Sequence, residues 1–240
     1  MMNENYISLE KVQFAYKENS LLFIDEVRLA SSGIYAVVGN NGAGKSLFMH
    51  LASGRLVPTT GEIYLMNNHQ KVSLSDSVES RDTIRLLTDD FLGEMREKVL
   101  TYLYEIASAY TLQRGDVLHQ EVVRVLKLVD LLELQQERVE RLSFGQRRRL
   151  SMATVFLGSP QFLFLDEPFT GLDSKQIKQR MGYLKKISQD MCIVMSMHDM
   201  ELLRTLSLQK ILFIDGGVVA VLDPTVENLA RIEAGLNHEI

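Results

Sequence analysis

Cysteine is nearly absent from this 240-residue sequence, which contains Cys192 alone. One cysteine excludes an intramolecular disulfide and a zinc site built from several cysteines. It lies in the apolar run 191–195, where we expect a buried and inert thiol. An excess of basic residues is absent as well. The net charge of −5 argues against a surface that coats nucleic acid, and we expect no nucleic-acid partner.

The sequence also lacks the patterns that predict a membrane-spanning helix or a signal peptide. No window approaches about 18 continuous apolar residues, so no membrane-spanning helix is predicted. Residues 1–6 lack a basic segment followed by an apolar stretch, and we expect no signal peptide. With 46% hydrophobic residues the chain can bury a full core, as one large domain or as a core with a subdomain. These features predict a soluble protein of a reducing compartment.

The most informative stretch, residues 39–46, reads GNNGAGKS. It fits the phosphate-binding loop pattern G-x-x-x-x-G-K-[ST], between an apolar run that predicts a strand (34–38) and one that predicts a helix (47–52). Glycines let the backbone fold around an anion, and the helix N-terminus directs amide groups at it. A chance glycine-rich turn is the alternative, which the flanking strand and helix oppose. We expect Lys45 to reach the β- and γ-phosphates and Ser46 to ligate Mg²⁺. The predicted nucleotide-binding loop residues are Gly39, Asn40, Asn41, Gly42, Ala43, Gly44, Lys45, Ser46 and Leu47.

Adjacent carboxylates follow another apolar run. Residues 162–165 predict a parallel strand that delivers Asp166 and Glu167 at its C-terminal end, where α/β sheets bind ligands. We expect Asp166 to hold Mg²⁺ opposite Ser46, and Glu167 to polarise an attacking water. The alternative is that both acids merely begin a turn at Pro168.

Two more candidate contacts stand at predicted strand ends. His198 follows the apolar run 192–197; a lone histidine is usually structural, but at this strand end it could instead contact the γ-phosphate. Tyr16 ends the alternating run 6–16, the first of two or three short strands expected to form an antiparallel edge. An exposed aromatic there could stack on an adenine ring, and an ordinary half-buried strand tyrosine is the alternative.

The hydrophobic period changes after a strand predicted at 84–87. From 91 to 110 and from 117 to 134, apolar residues recur at helical spacing, with a break at Gly115 and Asp116. A helical insertion of about fifty residues between α/β segments is typical of a subdomain.

A further helix is predicted to begin beside Ser143, which forms a capping-box pattern with Gln146. Arg147, Arg148 and Arg149 follow in the first turn, where positive charge opposes the helix dipole. A docked anion such as a γ-phosphate explains these arginines better than capping alone.

These motifs together resemble the ATP-binding subunit of an ABC (ATP-binding cassette) transporter, over essentially the whole chain. Residues 39–46 resemble the Walker A motif, 162–166 Walker B followed by Glu167, and 142–146 the LSGGQ signature. Asp173 resembles the D-loop aspartate, His198 the switch histidine and Tyr16 the adenine-stacking aromatic.

The resemblance implies an α/β fold: a P-loop NTPase ABC cassette with a RecA-like core, an N-terminal antiparallel β edge and an inserted α-helical subdomain. We expect one ABC ATPase domain over residues 1–240. In it, 1–88 and 146–240 would form the nucleotide-binding core, and 89–145 the helical subdomain carrying the signature.

Two positions depart from the family pattern. Phe144 replaces the usual third-position glycine of the signature, while Ser143, Gly145 and Gln146 are kept, and we expect signature function to survive. Aligning the strand predicted at 84–87 with the one before the family's Q-loop puts Asp89 in place of the glutamine. A carboxylate there can ligate Mg²⁺, and its charge beside the γ-phosphate is expected to slow hydrolysis or alter coupling.

The resemblance implies an ATPase that drives a membrane permease. Two cassettes, expected to be copies of this chain, would meet head to tail and enclose each ATP between one Walker A loop and the other copy's signature. The expected catalytic residues are Glu167, His198 and Lys45, and the expected ligands are ATP and Mg²⁺. We expect a cytoplasmic protein, peripheral on the inner face of the cell membrane through its permease. The imperfect Q-loop and the lack of a C-terminal regulatory extension favour an exporter.

Two other functions stay open. A soluble ABC ATPase acting on DNA or ribosomes generally carries two cassettes, a long coiled coil or zinc-binding cysteines, and this sequence shows none of them. A regulatory module that binds ATP with weak hydrolysis is supported by Asp89 alone, and the intact Glu167 and His198 oppose it. The resemblance implies that the permease, and not this chain, selects the transported substrate.

Overall fold

The computed structural model describes residues 5–17, 19–74, 83–87, 96–110, 114–158 and 160–237. The chain divides into two compact units, one comprising Met1–Leu86 with Gln161–Ile240 and the other Leu87–Pro160. The first is an α/β unit that carries a ten-stranded sheet, and the second is helical.

The bounds of the strands and helices follow the chain. The strands are β1 (Tyr6–Tyr16), β2 (Asn19–Ala30), β3 (Gly33–Val38), β4 (Thr60–Asn67), β5 (Gln70–Ser73), β6 (Ile84–Leu87), β7 (Phe162–Leu165), β8 (Cys192–Met197), β9 (Leu208–Asp215) and β10 (Val218–Leu222). The helices are α1 (Lys45–Ala52), α2 (Val99–Tyr110), α3 (Gly115–Leu128), α4 (Phe144–Val155), α5 (Ser174–Ile187), α6 (Met200–Thr205) and α7 (Val226–Asn237). The strand order across the sheet is β5-β4-β1-β2-β10-β9-β3-β8-β7-β6.

Parallel strands form the part of the sheet that positions the candidate site. Strand β3 pairs in parallel with β8 and β9, and β7 pairs in parallel with β8. Every residue of β7 and β8 is buried, as expected for strands covered on both faces, which read as continuous apolar runs. The carboxyl ends of β3, β8 and β7 therefore meet at one edge of the sheet.

Strands β5, β4, β1 and β2 form an antiparallel edge, as predicted, and β10 joins this edge by pairing in parallel with β2. Strands β1 and β2 form a hairpin in which Tyr6 pairs with Ala30, and β4 pairs with the outer side of β1. Strand β1 has the bounds predicted from the alternating run 6–16, and β2 continues without a break for 12 residues. In β2 buried and exposed residues alternate over most of the strand, because one face packs on the core while the other faces solvent.

The helical unit departs from the predicted helix boundaries. Gly115 and Asp116, where the sequence predicted a break between helices, instead belong to the first turn of α3. The same helix ends at Leu128 and does not continue to residue 134. Asp130 has a left-handed backbone with φ of 55°, a conformation that ends a helix, and the chain continues as a 3₁₀ turn at Leu132–Leu134.

The helical unit is also larger than the subdomain predicted at 89–145. It extends to Pro160 and so includes α4. Leu150 and Ala153 of α4 are fully buried, and α4 packs against α2 and α3. The shared apolar core groups this helix with α2 and α3, although the sequence places it after the signature. Within the described residues, no helix has the length and apolar character needed to cross a membrane.

Candidate active site

The phosphate loop links β3 to α1 at the carboxyl edge of the parallel strands. Gly42 and Gly44 have φ angles of 82° and 104°, which glycine adopts readily and other residues rarely do. A side chain at Gly39 would place its Cβ 2.5 Å from the carbonyl oxygen of Ile214. Glycine is therefore required at the loop's start by close packing and near its end by backbone conformation.

Lys45 turns back over the loop that precedes it. Its side chain is 7% exposed, and Nζ donates hydrogen bonds to the carbonyls of Gly39 at 2.8 Å and Asn40 at 2.9 Å. Burial lowers the pKa of Lys45, and the nearby carboxylates of Glu167 and Asp166 partly oppose that shift. The ammonium group thus lies within electrostatic reach of both acids, in a setting where an added anion would offset its lost hydration.

The first turn of α1 leaves amide groups available to an anion. Its N-cap residue, Gly44, has no side chain to accept from them, and the turn contains no acidic residue. The first N–H groups of a helix have no partner within the helix and carry partial positive charge. Ser46 is exposed in this turn, where its hydroxyl is accessible to a ligand, and Leu47 is half-buried behind it.

Ser196 of β8 joins the two acids that follow β7. Its hydroxyl donates a short hydrogen bond to Oδ1 of Asp166 and accepts one from the backbone N–H of Glu167 at 2.7 Å. Ser196 is completely buried. The sequence interpretation missed this residue, although a serine inside the otherwise apolar run 192–197 is a signal, because buried hydroxyl groups are usually hydrogen-bonded.

Glu167 has polar neighbours on both carboxylate oxygens. Thr170 Oγ1 donates to Oε2 at 3.1 Å, and His198 Nδ1 lies 3.7 Å from Oε1. The His198 side chain is 62% exposed. A cleft of about 210 Å³ opens beside these residues and is lined on its apolar side by Phe169 and Leu202, among others. The predicted catalytic carboxylate and the predicted switch histidine are therefore adjacent.

The predicted Mg²⁺ ligands supply suitable donors. Ser46 offers a hydroxyl and Asp166 a carboxylate, the hard oxygen ligands that Mg²⁺ prefers. Among the described residues, no cluster of three or more His, Cys, Asp and Glu side chains forms a metal cage. This donor set fits an ion that keeps several waters and is shared with substrate phosphates.

Tyr16 is exposed at the end of β1, 65% of its surface being accessible. It pairs with Asn19 at the start of β2, and further along that strand Leu22 would lie 3.3 Å from a Cβ added at Gly44. The exposure excludes the half-buried alternative, and the ammonium group of Lys17 lies over the ring, 5.6 Å from its centroid. Stacking on adenine stays a prediction.

The signature residues form a complete capping box at the start of α4. Ser143 Oγ accepts from the N–H of Gln146 at 3.3 Å, and Gln146 Oε1 accepts from the N–H of Ser143 at 2.8 Å. Phe144 is 63% exposed, and a Cβ added at Gly145 would meet open space. The start of this helix therefore has an accessible surface, and contact with a partner's ATP stays a prediction.

Two of the three arginines that follow have structural roles that the sequence did not reveal. Arg147 Nε donates to the carbonyl of Leu142 at 2.9 Å. Arg149 forms an ion pair with Asp130 at 3.0 Å. These contacts explain two charges that the sequence interpretation assigned to a docked anion.

Asp173 and Asp89 are the two remaining residues of the predicted site. Asp173 caps α5, accepting from the N–H of Gln176 at 2.8 Å, so it has a structural role whatever it does as a D-loop residue. Asp89 lies outside the described residues. The structure thus brings together Lys45, Asp166, Glu167 and His198 within one unit.

Comparisons with known proteins agree with these motifs. A family model described as ABC transporter matches residues 23–170. The mouse protein "ATP-binding cassette sub-family A member 6" is 32% identical over 197 residues, which cover 82% of this chain and 12% of that protein. A "Putative ABC transporter ATP-binding protein" of Lactiplantibacillus plantarum is 33% identical over 205 residues, covering 82% of this chain and 35% of that protein. This chain therefore spans about a third or less of the length of these two relatives.

A solved structure shares the fold. The "Dimeric structure of a post-hydrolysis state of the ATP-binding cassette MJ0796 bound to ADP and Pi" has a TM-score of 0.78 and 20% identity, over 91% of this chain and 99% of that one. The predicted α/β cassette fold is confirmed by this similarity and by the family model, which covers more than half of the chain. The chain belongs to the ABC transporter family.

Proposed function

We propose that this chain binds Mg²⁺ and ATP and hydrolyses ATP to drive a membrane permease. One observation carries the proposal: the ends of the parallel strands β3, β8 and β7 place the phosphate loop, His198 and the acid pair at one edge of the sheet. Phosphate-binding amides, a buried cation and two carboxylates are the groups that phosphoryl transfer to water requires. The ADP and Pi in the similar cassette support the same chemistry.

The proposed reaction is in-line attack of water on the γ-phosphate. Glu167 orients and polarises the water, while Lys45 and His198 stabilise the negative charge that develops on the phosphoryl oxygens. Mg²⁺, when bound, would be held by Ser46 and Asp166 and would neutralise phosphate charge. Tyr16 would stack on the adenine, and the amides of the loop would bind the β- and γ-phosphates.

The pocket is completed in this proposal by a second copy of the chain. Ser143 and Gly145 of one copy would contact the ATP held by the phosphate loop of the other. The exposed start of α4 supports this, as does the dimeric state of the similar cassette. The protein would lie on the inner face of the cell membrane, held there by its permease, and would power export.

Replacing Glu167 with glutamine tests the catalytic part. Because Glu167→Gln removes the negative charge and keeps the shape, we expect unchanged ATP binding and loss of phosphate release by at least about a hundredfold. Phosphate release and binding of a fluorescent ATP analogue are the two measurements. Glu227→Gln, which changes an exposed glutamate in the first turn of α7, is the matched control and should release phosphate as the unmodified chain does. Normal turnover by Glu167→Gln would remove this residue from the mechanism.

The partner is tested separately. Co-purification with an integral-membrane protein, and ATP-dependent accumulation of a transported solute inside inverted membrane vesicles, are the results expected of an exporter subunit. Co-purification with ribosomes or DNA would support the non-transport ATPase instead. ATP binding without phosphate release by the unmodified chain would support the regulatory module.

A further inference from the structure

We infer that Ser196 is a positioning residue for hydrolysis, whose single hydroxyl fixes both the metal-binding carboxylate and the backbone of the catalytic glutamate. This inference rests on the proposed ATP hydrolysis. It goes beyond that function because it assigns a role to a residue outside every motif of the site.

The hydroxyl has no freedom in this position. A serine hydroxyl carries one proton and can donate once. The N–H of Glu167 is a donor, so the oxygen of Ser196 must accept there, at 2.7 Å. Its only proton is then directed at Oδ1 of Asp166. Because Ser196 is fully buried, solvent cannot replace either bond.

The first consequence concerns Asp166. Its Oδ1 is occupied by Ser196, and within the described ranges no side chain or amide donates to its Oδ2. The hydroxyl therefore sets the rotation of the carboxylate and leaves Oδ2 as the oxygen available to a metal ion. Hydrogen bonds behind a metal ligand commonly tune affinity in this way.

The second consequence concerns Glu167. Its φ angle of 44° lies in the left-handed region, which is unfavourable for a residue with a side chain and persists only when the surroundings hold it. The hydrogen bond from the N–H of Glu167 to Ser196 stabilises this backbone conformation directly at the strained residue. The direction of the Glu167 side chain thus depends on a residue of the neighbouring strand.

Metal affinity tests the inference without requiring turnover. The parent is Glu167→Gln loaded with ATP, and the readout is its affinity for Mn²⁺, obtained from the electron paramagnetic resonance signal of free Mn²⁺. Adding Ser196→Ala should weaken Mn²⁺ binding roughly tenfold, since loss of a group behind a metal ligand typically has an effect of that size. Adding Ser196→Thr, which keeps the hydroxyl, should restore most of the affinity.

Turnover is then measured with Glu167 intact. Ser196→Ala should lower kcat roughly tenfold while KM for ATP changes less than about threefold, because the loop that binds the phosphates is untouched. The matched control is Cys192→Ala, at the other end of β8 and equally buried. It should lower thermal stability while leaving Mn²⁺ affinity and kcat within about twofold of the parent values. Should Ser196→Ala unfold, Ser196→Cys preserves volume with a much weaker hydrogen-bonding group and takes its place.

Two outcomes overturn the inference: unchanged Mn²⁺ affinity in Ser196→Ala, or equal losses in Ser196→Ala and Cys192→Ala. Either result would leave Ser196 with a purely structural role, as a hydrogen-bonded link between neighbouring strands. Failure of the proposed function is recognised by different results. It would give normal turnover by Glu167→Gln alone, or no turnover by the unmodified chain, and both are measured before Ser196 is changed.

Discussion

At the scale of single residues, Glu167 combines a chemical role with an unfavourable backbone. It follows β7 directly, and its φ angle of 44° places it in the left-handed region. Outliers of this kind cluster at functional sites, where correct placement of a group outweighs the local energetic cost. Its carbonyl accepts from the N–H of Thr170 at 3.3 Å, so the turn around the strained residue is held on both sides.

A pair of variants measures this strain. Glu167→Gly and Glu167→Ala both remove the carboxylate, but only glycine adopts a left-handed backbone without penalty. We expect Glu167→Gly to be more stable than Glu167→Ala by about 1 kcal/mol, as measured by urea denaturation, with neither variant hydrolysing ATP. A Glu167→Gly variant less stable than Glu167→Ala would contradict backbone strain at this position, because glycine at an unstrained position costs about 0.5–1 kcal/mol relative to alanine.

At the scale of the secondary-structure elements, the residues at the start of α4 have two candidate roles, local capping and contact with ATP. The capping box of Ser143 and Gln146 is complete, so the pair is already accounted for by local stability. The same residues resemble the family's signature, and in the proposed dimer Ser143 contacts the partner's ATP. A substitution that keeps the cap and removes the hydroxyl distinguishes the two.

Asparagine and alanine at position 143 provide that test. Ser143→Ala should destabilise the chain by about 1 kcal/mol, because the cap is lost. Ser143→Asn should keep the stability of the unmodified chain, because asparagine is an equally good cap. If Ser143 contacts ATP, both variants lose phosphate release. Full activity in Ser143→Asn would contradict the signature role and leave capping as the function of this serine. Melting temperature and phosphate release are measured together.

At the scale of the whole molecule, the predicted groups fall in two separate units. Lys45, Asp166, Glu167 and His198 belong to the α/β unit, and Ser143 belongs to the helical unit. In the proposed dimer the helical unit of one copy serves the nucleotide of the other. The oligomeric state with ATP is therefore the decisive global measurement.

Light scattering during gel filtration provides this measurement. With ATP and Mg²⁺, Glu167→Gln should shift from the monomer mass of 27.3 kDa to twice that value, because unhydrolysed ATP would keep both interfaces closed. Lys45→Ala in the same background is the control and should remain monomeric, since it lacks the cation that binds the phosphates. Persistent monomers of Glu167→Gln at saturating ATP would remove the support for a shared site.

The sequence by itself determined the features that depend on neighbours along the chain. The strand, glycine loop and helix around Lys45 are such a feature, because anion binding, hydrophobic period and glycine conformation act within a few residues. The strands β7 and β8 with their terminal acids and histidine were equally readable, since buried parallel strands are continuous apolar runs. The resemblance to the ABC family rested on these local patterns.

Only the tertiary structure decided which of these features meet and what supports them. Ser196 reaches Asp166 because β8 lies beside β7, a pairing that no spacing along the chain encodes. The ion pair of Arg149 with Asp130 and the place of α4 in the helical unit likewise depend on tertiary packing and not on spacing along the chain. Packing and hydrogen bonds between distant segments are set by the order of strands and the fit of side chains. The sequence therefore indicated the reacting groups, and the fold determined what holds them in place.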